Sequence, residues 1–568
     1  MAISRNFFTE DKHLQQVLKK HLEPEFYEWA EKELTEFGES CANEIEERAV
    51  HTDREGQPRL IKYNKMGEDV SEVWVNEGYK KTVTETYNRG IVGYVHKDIP
   101  ELGQKGNYLY SYAQGYVLSQ TEPGFYCPVT LTMATAYLLE HYADDHVKGK
   151  FLPHVISTGE VELFEGATFL TERQGGSDVG ANETQAVPHP NKDTYLLTGE
   201  KYFASNAGQC GVAMVLARIP GAPKGTRGLS LFAVPWKKED GSGKLNGIEI
   251  RRLKDKIGVR AVPSAEVLFN DAEGYLVGEP SKGIHYMMEA LNLSRVCNAI
   301  ASLGIMERAY SEARNYANSR VTFGDRLINF PMIRESLVDM AVKQEVELSA
   351  SFELVALFDR VMRNDGAKVS EEEIALNRLL IALLKKETAE QAVHFSHEAI
   401  EMHGGNGFIE DFVTPRLLRD AQVLTVWEGT ANILGMEVLR LMSRFKVERI
   451  FIESMRKRLS SFHIETPIKE PVEEALVKLQ ELCHYTSSCA PEIQTVYSKK
   501  IASLMVKIFE SVVALDGANA GDPREKAKAE LFLQMTWKDS DTWYDTENKR
   551  LQYFDLIVNW EESSVVVE

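Results

Sequence analysis

The runs VAMVLARI (212–219) and LSLFAVPW (229–236) decide the architecture that we expect for this chain. Both are short, rich in β-branched and other apolar residues, and bounded by turn residues, a pattern typical of β-strands. They are too apolar for an exposed sheet edge, so they predict sheets that pack face to face or against helices. Similar runs flank them: TYLLTG (194–199), IEIRRL (248–253) and AEVLF (265–269). Residues 164–280 are therefore expected to form a central β domain.

Helical periodicity precedes and follows this β segment. It predicts an N-terminal helical domain over residues 1–163 and a C-terminal four-helix bundle over residues 281–445. A further helical region, residues 446–568, is expected as a C-terminal extension. The expected fold class is therefore α+β and multidomain, in the order helical domain, β domain, helical bundle, helical extension.

Local signals mark the ends of several expected helices. Ser370 and Glu373 have the spacing of a capping box, and Gly404-Gly405 are expected to end the helix that this box opens. Pro331 fits the first turn of another helix. Within the extension, loops are expected at 465–471 and at 517–523, where proline and glycine cluster.

Composition and charge exclude several classes of protein. The 568 residues are 43% hydrophobic and 26% charged, as in a globular protein with several cores. The formal net charge of −20 repels phosphate backbones and argues against general nucleic-acid binding. No apolar run approaches the roughly 18 residues of a membrane span. The first residues carry no secretory signal pattern and the six cysteines are scattered, so we expect a cytoplasmic protein.

Several short motifs stand at the ends of the expected strands and helices. They are TERQGGSD (171–178), KYFASNAG (201–208), RVTFG (320–324), HGGNGF (403–408) and RDAQVLTVWEGTANI (419–433). In this order and spacing the chain resembles the acyl-CoA dehydrogenases. Trp427, YCPVTLTMA (126–134) and LKDKIGVRAVPSAEVLF (253–269) resemble the long, C-terminally extended adaptive-response (AidB-like) branch. The resemblance implies an acyl-CoA dehydrogenase-like fold.

The resemblance implies FAD as the cofactor. From the residues alone, the paired glycines of TERQGGSD allow close approach to a ligand, and a simple strand-end turn explains them equally well. Arg320 resembles the family's cationic contact to the flavin pyrophosphate across a subunit boundary; without the other motifs it would be a surface arginine at a helix end. The flavin contacts implied by the resemblance are Leu170, Thr171, Ser177, Phe203, Ser205, Arg320, Phe323, Gly404, Gly405, Thr430 and Asn432.

Glu428, within VWEGTANI, is the residue expected to carry the chemistry. A glutamate before a helix is ordinarily solvated or interacts with the helix dipole. In the family that the chain resembles, the matching residue removes the α-proton of an acyl thioester while the β-hydride passes to the flavin. An α-C–H is a weak acid, so its removal needs a desolvated base and donors on the thioester carbonyl. The substrate contacts implied by the resemblance are Ser177, Arg295, Trp427 and Gly429.

The expected partners are an acyl-CoA substrate, an electron-transfer flavoprotein as electron acceptor, and further copies of the chain in a homodimer or homotetramer. The sequence does not indicate the length or branching of the acyl chain. Nucleic acid, a membrane span and a metal are not expected; HEAIE (397–401) lacks the second histidine of a zinc motif.

Two alternative functions remain. An AidB-like protective flavoprotein would bind nucleic acid, yet residues 446–568 carry 16 Lys and Arg against 21 Asp and Glu, a net charge of −5. An acyl-CoA oxidase would share the fold and the base but pass electrons to oxygen. A base on an earlier helix is the alternative to Glu428, and Glu289 is the acid nearest to that position.

Overall fold

The computed structural model describes residues 5–363, 369–537 and 547–561. Within the expected domains, residues 1–4, 364–368, 538–546 and 562–568 lie outside the described residues. Contacts divide the chain into two compact units. The first comprises the residues up to Gln15 together with Leu22–Cys297, and the second comprises Gln16–His21 together with the residues from Asn298 onward.

The N-terminal part of the chain is mainly helical, with two short hairpins between the helices. The helices are α1 (Lys12–His21), α2 (Pro24–Ser40), α3 (Glu46–Arg54), α4 (Glu77–Asn88), α5 (Gly93–His96), α6 (Tyr108–Ser119), α7 (Pro123–Tyr142) and α8 (Asp145–Val155). The hairpins are formed by β1 (Arg59–Tyr63) with β2 (Asp69–Trp74) and by β3 (Asp98–Ile99) with β4 (Gln104–Lys105).

The β1–β2 hairpin departs from the helical expectation for this region. Asn64 directly follows β1, and its side-chain oxygen accepts hydrogen bonds from the backbone N–H groups of Met66 and Glu68 at 2.9 and 3.0 Å. Such asparagine turns compete with helix formation because they satisfy backbone donors locally. The turn is part of NKMGED, a sequence signal that the overall helical pattern obscured.

A seven-stranded sheet follows. Its strands are β5 (Glu165–Phe169), β6 (Gln185–Pro188), β7 (Tyr195–Ser205), β8 (Cys210–Arg218), β9 (Leu229–Pro235), β10 (Ile248–Leu253) and β11 (Ser264–Val277). The order is β10-β11-β7-β6-β8-β5, and β9 pairs with both β11 and β8. Every residue of β9 is buried. The prediction that VAMVLARI and LSLFAVPW form packed strands is confirmed.

The rest of the described chain is helical apart from the hairpin of β12 (Val321–Thr322) and β13 (Asp325–Arg326). The helices are α9 (Gly283–Ser319), α10 (Pro331–Arg363), α11 (Glu371–His403), α12 (Thr414–Leu424), α13 (Ala431–Phe445), α14 (Val447–Ser461), α15 (Thr466–Ser488), α16 (Pro491–Asn519), α17 (Pro523–Trp537) and α18 (Lys549–Gln552). The expected fold class is thereby confirmed. Among the described residues, no helix combines the length and the apolar character needed to cross a bilayer.

Helix boundaries test the local signals. Ser370 and Glu373 form the expected capping box, and α11 ends at His403 with Gly404 at φ +59. The loop expected at 465–471 is wrong, because α15 starts at Thr466 and contains Pro471. The helix persists because the residues after Pro471 bury a wholly apolar face, which outweighs the lost hydrogen bond. That face consists of Val472, Ala475, Leu476 and Leu479.

The second unit contains a buried charge cluster formed by Lys343, Glu347, Glu387 and Glu510. The Lys343 Nζ atom lies 2.8, 3.2 and 2.9 Å from carboxylate oxygens of Glu347, Glu387 and Glu510, respectively. One ammonium cannot neutralise three carboxylates away from water, so burial raises the pKa of Glu347 and brings that of Glu510 to about 7. The cluster joins α16, from the expected extension, to α10 and α11.

Candidate functional site

The loop TERQGGSD begins directly after β5. Leu170 and Thr171 are half-buried at its start, and Ser177 is exposed further along. The backbone N–H of Tyr202, on β7, donates to the Thr171 carbonyl at 2.9 Å. This bond brings the loop beside the KYFASN segment within the first unit.

Glu172, inside this loop, is buried and paired with the buried Lys201 of β7 at 2.8 Å. Glu172 also accepts hydrogen bonds from the Thr184 hydroxyl at 2.6 Å and from the Glu183 backbone N–H at 2.7 Å. Burial opposes its charge, but the Lys201 ammonium and these donors hold its pKa below the usual value. Lys201 donates further to the Leu216 carbonyl at 2.8 Å. The pair fixes the two motifs to each other.

The end of β7 presents an open aromatic face. Phe203 is 56% exposed, and the Lys254 ammonium lies 4.8 Å from its ring centroid. Two positions further on, the hydroxyls of Ser205 and Ser264 are 3.2 Å apart. An exposed ring next to small polar groups on a strand end can stack on a flat ligand.

In the second unit, Arg320 leads into the β12–β13 hairpin and Phe323 lies at its tip. Arg320 is exposed, and Phe323 is 94% exposed with φ +49. Within the described residues Arg320 makes no ion pair, so its guanidinium can receive an anionic ligand. An exposed phenylalanine whose own backbone lies in the left-handed region is typical of an interaction surface.

The HGGNGF loop lies beside the end of α9. The Asn406 side chain donates to the Tyr316 hydroxyl at 3.1 Å, and the Arg320 backbone N–H bonds the Tyr316 carbonyl at 2.8 Å. A side chain added at Gly404 or Gly405 would meet open space. The loop therefore adjoins the Arg320 hairpin and leaves room for a ligand against its backbone.

Glu428 lies in the turn between α12 and α13. It adopts φ +60, which costs a non-glycine residue about 1–2 kcal/mol, and Gly429 follows at φ +110. Thr430 is the N-cap of α13, although its side chain makes no capping hydrogen bond. One carboxylate oxygen of Glu428 is buried. The buried Lys385 of α11 donates to the Gly429 carbonyl at 2.7 Å. The backbone thus stores strain at the residue expected to act as base.

Two residues of α9 bear on the substrate and base expectations. Arg295 is only 6% exposed and donates to the Asn292 side chain at 3.2 Å. Glu289 accepts hydrogen bonds from the phenols of Tyr137, at 2.7 Å, and Tyr142. Glu289 is therefore engaged as an acceptor within the first unit.

Comparison with known proteins bears directly on the motifs. Family profiles match residues 2–159 (adaptive response protein AidB N-terminal domain), 167–272 (acyl-CoA dehydrogenase, middle domain) and 281–443 (acyl-CoA dehydrogenase, C-terminal domain). Acyl-CoA dehydrogenase family member 11 of Caenorhabditis elegans is 31% identical over 588 residues, 99% of this chain and 93% of that protein. The chain belongs to the acyl-CoA dehydrogenase family.

Other relatives agree. AidB of Escherichia coli strain K12 is 30% identical over 395 residues, 68% of this chain and 69% of that protein. The structure of C. elegans ACDH-11 in complex with C11-CoA has a TM-score of 0.86 at 30% identity, covering 98% of this chain and 95% of that one. The acyl-CoA dehydrogenase family is a family of oxidoreductases, and the AidB N-terminal match confirms the resemblance to its long branch.

Within each unit, this acyl-CoA dehydrogenase brings some of the expected site residues together. In the first unit, Leu170 and Thr171 lie beside β7, which carries Phe203 and Ser205. In the second, the Arg320 hairpin adjoins Gly404-Gly405, which directly follow the end of α11. The Glu428 turn instead contacts α11 at Lys385, nineteen residues before Gly404. At 1.5 Å per residue these contacts are ~28 Å apart along α11. Trp427 and Asn432 flank the Glu428 turn.

Sequence reasoning missed the Glu172–Lys201 pair and Lys385. A lysine at a core-facing position of a strand is the signal that could have revealed the pair, because buried lysines need a partner. Lys385 carries no comparable signal, since LLKKET reads as an ordinary helix and its contact partner lies 44 residues away.

Proposed function

We propose that this chain dehydrogenates an acyl-CoA thioester across its α,β bond, with Glu428 as the base that removes the α-proton. The observation that carries the proposal is the Glu428 turn. A left-handed glutamate, followed by a positive-φ glycine, carries backbone strain directly at the expected base. Backbone strain of this kind clusters at active sites. Here the strained residue is Glu428, which lies in the motif that matches the family's catalytic base.

Partial burial suits Glu428 to this role. A carboxylate with an oxygen out of water is a stronger base than a solvated one, because burial disfavours its charged form. The Glu428 backbone N–H is the donor that we assign to the thioester carbonyl, where enolate-like charge develops. Trp427 and Gly429 would line the thioester on either side, and Ser177 and Arg295 are further substrate contacts that we propose from the family motifs.

The residues present fit FAD. The exposed face of Phe203, with Leu170, Thr171, Ser177 and Ser205 around it, suits the flat ring system. The guanidinium of Arg320, which forms no ion pair in the part of the chain that the structure describes, suits a pyrophosphate. The Gly404-Gly405 loop adjoins the Arg320 hairpin, so we assign it, with Phe323, to the FAD of a neighbouring subunit. Thr430 and Asn432, ~28 Å away along α11, would contact the FAD of their own subunit. When bound, FAD supplies the acceptor for the β-hydride.

Glu289 is a weaker candidate for the base. Its carboxylate already accepts two phenolic hydrogen bonds, from Tyr137 and Tyr142. Both phenols occupy acceptor positions on this carboxylate. The acid that the sequence offers nearest the alternative position on α9 is thus already engaged by donors of the protein.

A nucleic-acid-binding role has less support. The short basic run at Arg456–Arg458 is its best candidate surface in the extension. Arg458 forms a bidentate pair with Glu353, and Arg456 donates to the Gln480 side chain at 2.9 Å. These contacts use positive charge that DNA phosphates would require.

The test is anaerobic reduction of the FAD-loaded protein by a panel of acyl-CoA thioesters that includes C11-CoA. Loss of the visible flavin absorbance with at least one thioester is the expected result. If no thioester reduces a fully loaded flavin, the proposed reaction is wrong. Reoxidation by electron-transfer flavoprotein, compared with oxygen alone, then separates a dehydrogenase from an oxidase.

FAD retention and assembly are tested with Arg320→Ala. We expect the wild-type protein to hold one FAD per subunit as a homodimer or homotetramer. Losing a phosphate contact should weaken FAD binding about tenfold without unfolding the chain. Arg326→Ala, in the same hairpin, is the matched control and should bind FAD normally.

A further inference from the structure

The turn that carries Glu428 joins α12 to α13 through an unusual backbone. Helix α13 begins at Ala431 without a side-chain cap, because the Thr430 hydroxyl makes no capping bond. Two successive residues, Glu428 and Gly429, have positive φ. A turn of this kind needs a contact from elsewhere in the fold to keep one conformation.

Lys385 supplies such a contact. Its Nζ atom donates to the Gly429 carbonyl at 2.7 Å, and the residue is 1% exposed. It lies on α11, so it joins the turn to a third helix besides α12 and α13, which the turn connects. The bond restrains the peptide that directly follows Glu428.

The position of Lys385 is unfavourable on general grounds. Burying an ammonium group away from water is costly, and the start of a helix is already the positive end of its dipole. The hydrogen bond to the Gly429 carbonyl places this charge against the peptide that follows Glu428.

We propose that Lys385 is a positioning residue for the reaction of Glu428. By holding the Gly429 carbonyl, it aligns the Glu428 carboxylate and backbone N–H on the substrate. This inference rests on the proposed function. It adds a residue that acts through the backbone and does not itself touch the reacting atoms.

The test uses Lys385→Met, which keeps an unbranched stem and removes the donor. Lys386→Met is the matched control, because Lys386 is its buried neighbour and pairs with Glu390 at 2.8 Å. The readouts are the limiting rate of flavin reduction per bound FAD, the apparent Kd for acyl-CoA and the melting temperature.

We expect Lys385→Met to lower the limiting rate 10- to 100-fold while the apparent Kd changes less than threefold, since a small displacement of a catalytic group costs about this much. Lys386→Met should stay within twofold of wild type. A merely structural role would lower the melting temperature or FAD content and leave the rate per bound FAD unchanged; that result would overturn the proposal.

Two further variants keep the outcome clear. If Lys385→Met does not fold, Lys385→Gln retains a neutral donor on a shorter side chain. A rate per bound FAD at least fivefold below wild type supports the proposal, and any smaller decrease overturns it. Glu428→Gln tests the base itself: if it reduces flavin normally, the assignment of Glu428 as the base fails whatever Lys385 does.

Discussion

The loop after β5 and the turn after α12 each carry a partly or wholly buried glutamate within a family motif, but their surroundings differ. Glu172 lies on ordinary backbone and is saturated by Lys201, Thr184 and the backbone. Glu428 lies on left-handed backbone, with a lysine bound to the adjacent carbonyl. A carboxylate whose pKa is held low by a cation serves architecture. One placed on a strained turn is suited to exchanging a proton.

The largest effect should come from Glu428→Gln. Glutamine is nearly isosteric and cannot accept the α-proton, so we expect flavin reduction to fall about 10²- to 10⁴-fold, with FAD and acyl-CoA still bound. Stopped-flow absorbance measures the rate. Glu410→Gln, at an exposed position upstream, should reduce flavin as fast as wild type. Normal reduction by Glu428→Gln would remove the contrast between the two glutamates.

Lys201→Met should be the most damaging to stability. Removing one partner leaves Glu172 charged and buried, which typically costs about 3–5 kcal/mol in the free energy of unfolding. The double variant Glu172→Gln/Lys201→Met should recover part of the loss, because neither charge then remains. Urea denaturation of the single and double variants measures both. Equal stability of Lys201→Met and wild type would mean that the pair is not architectural.

Glu165 sharpens the comparison, since it is a buried carboxyl that has no cation beside it among the described residues. Burial raises its pKa from 4.5 to about 7, with a Tyr87 hydrogen bond opposing. The folded state keeps its proton up to about pH 7, whereas the unfolded chain releases it near pH 4.5. The unfolded state thus binds fewer protons between these values, and stability falls as the pH rises through them.

The penalty that Glu165 imposes should reach about 3 kcal/mol above pH 7. Glu165→Gln should therefore gain stability relative to wild type between pH 5 and pH 8, by that amount, in urea denaturation. Exposed Glu162→Gln is the control and should show no such trend. A pH-independent difference between wild type and Glu165→Gln would contradict the raised pKa.

The smallest effect on stability is expected for Glu428→Gly. Glycine adopts positive φ without strain but loses more entropy on folding, so the two contributions nearly cancel. We expect a gain of up to about 1 kcal/mol in unfolding free energy, with flavin reduction abolished. Thermal unfolding compares it with Glu428→Ala, which keeps the strain. A clear loss of stability in Glu428→Gly would show that the Glu428 side chain itself stabilises the turn.

Local and periodic signals carried most of the fold. The apolar runs at 212–219 and 229–236 form packed strands, as predicted. Burial of their apolar side chains favours both the strand conformation and a place inside the sheet. The Ser370–Glu373 capping box formed because both partners lie within one helical turn. The loop predicted at 465–471 was wrong because burial of the apolar residues after Pro471 outweighs the backbone hydrogen bond that proline cannot donate.

The residues of the candidate site could be predicted only where they belong to a family motif. Glu428 could be singled out by resemblance, but its left-handed φ depends on how α12 and α13 are joined. The contact of Lys385 with Gly429 depends on helix packing across 44 positions. Long-range contacts of this kind leave no periodic trace in the chain, so the sequence offered no means to find them.

The buried charge cluster around Lys343 has a consequence for how the chain is made. Lys343 and Glu510 are 167 positions apart. A ribosome adding about 5–20 residues per second needs roughly ten seconds or more to span that interval. For most of that interval α10 and α11 are complete, and Glu510 is not yet there to contact Lys343. The second unit therefore completes its core only when synthesis is nearly finished, and protease protection of arrested nascent chains should appear only after α16 has emerged.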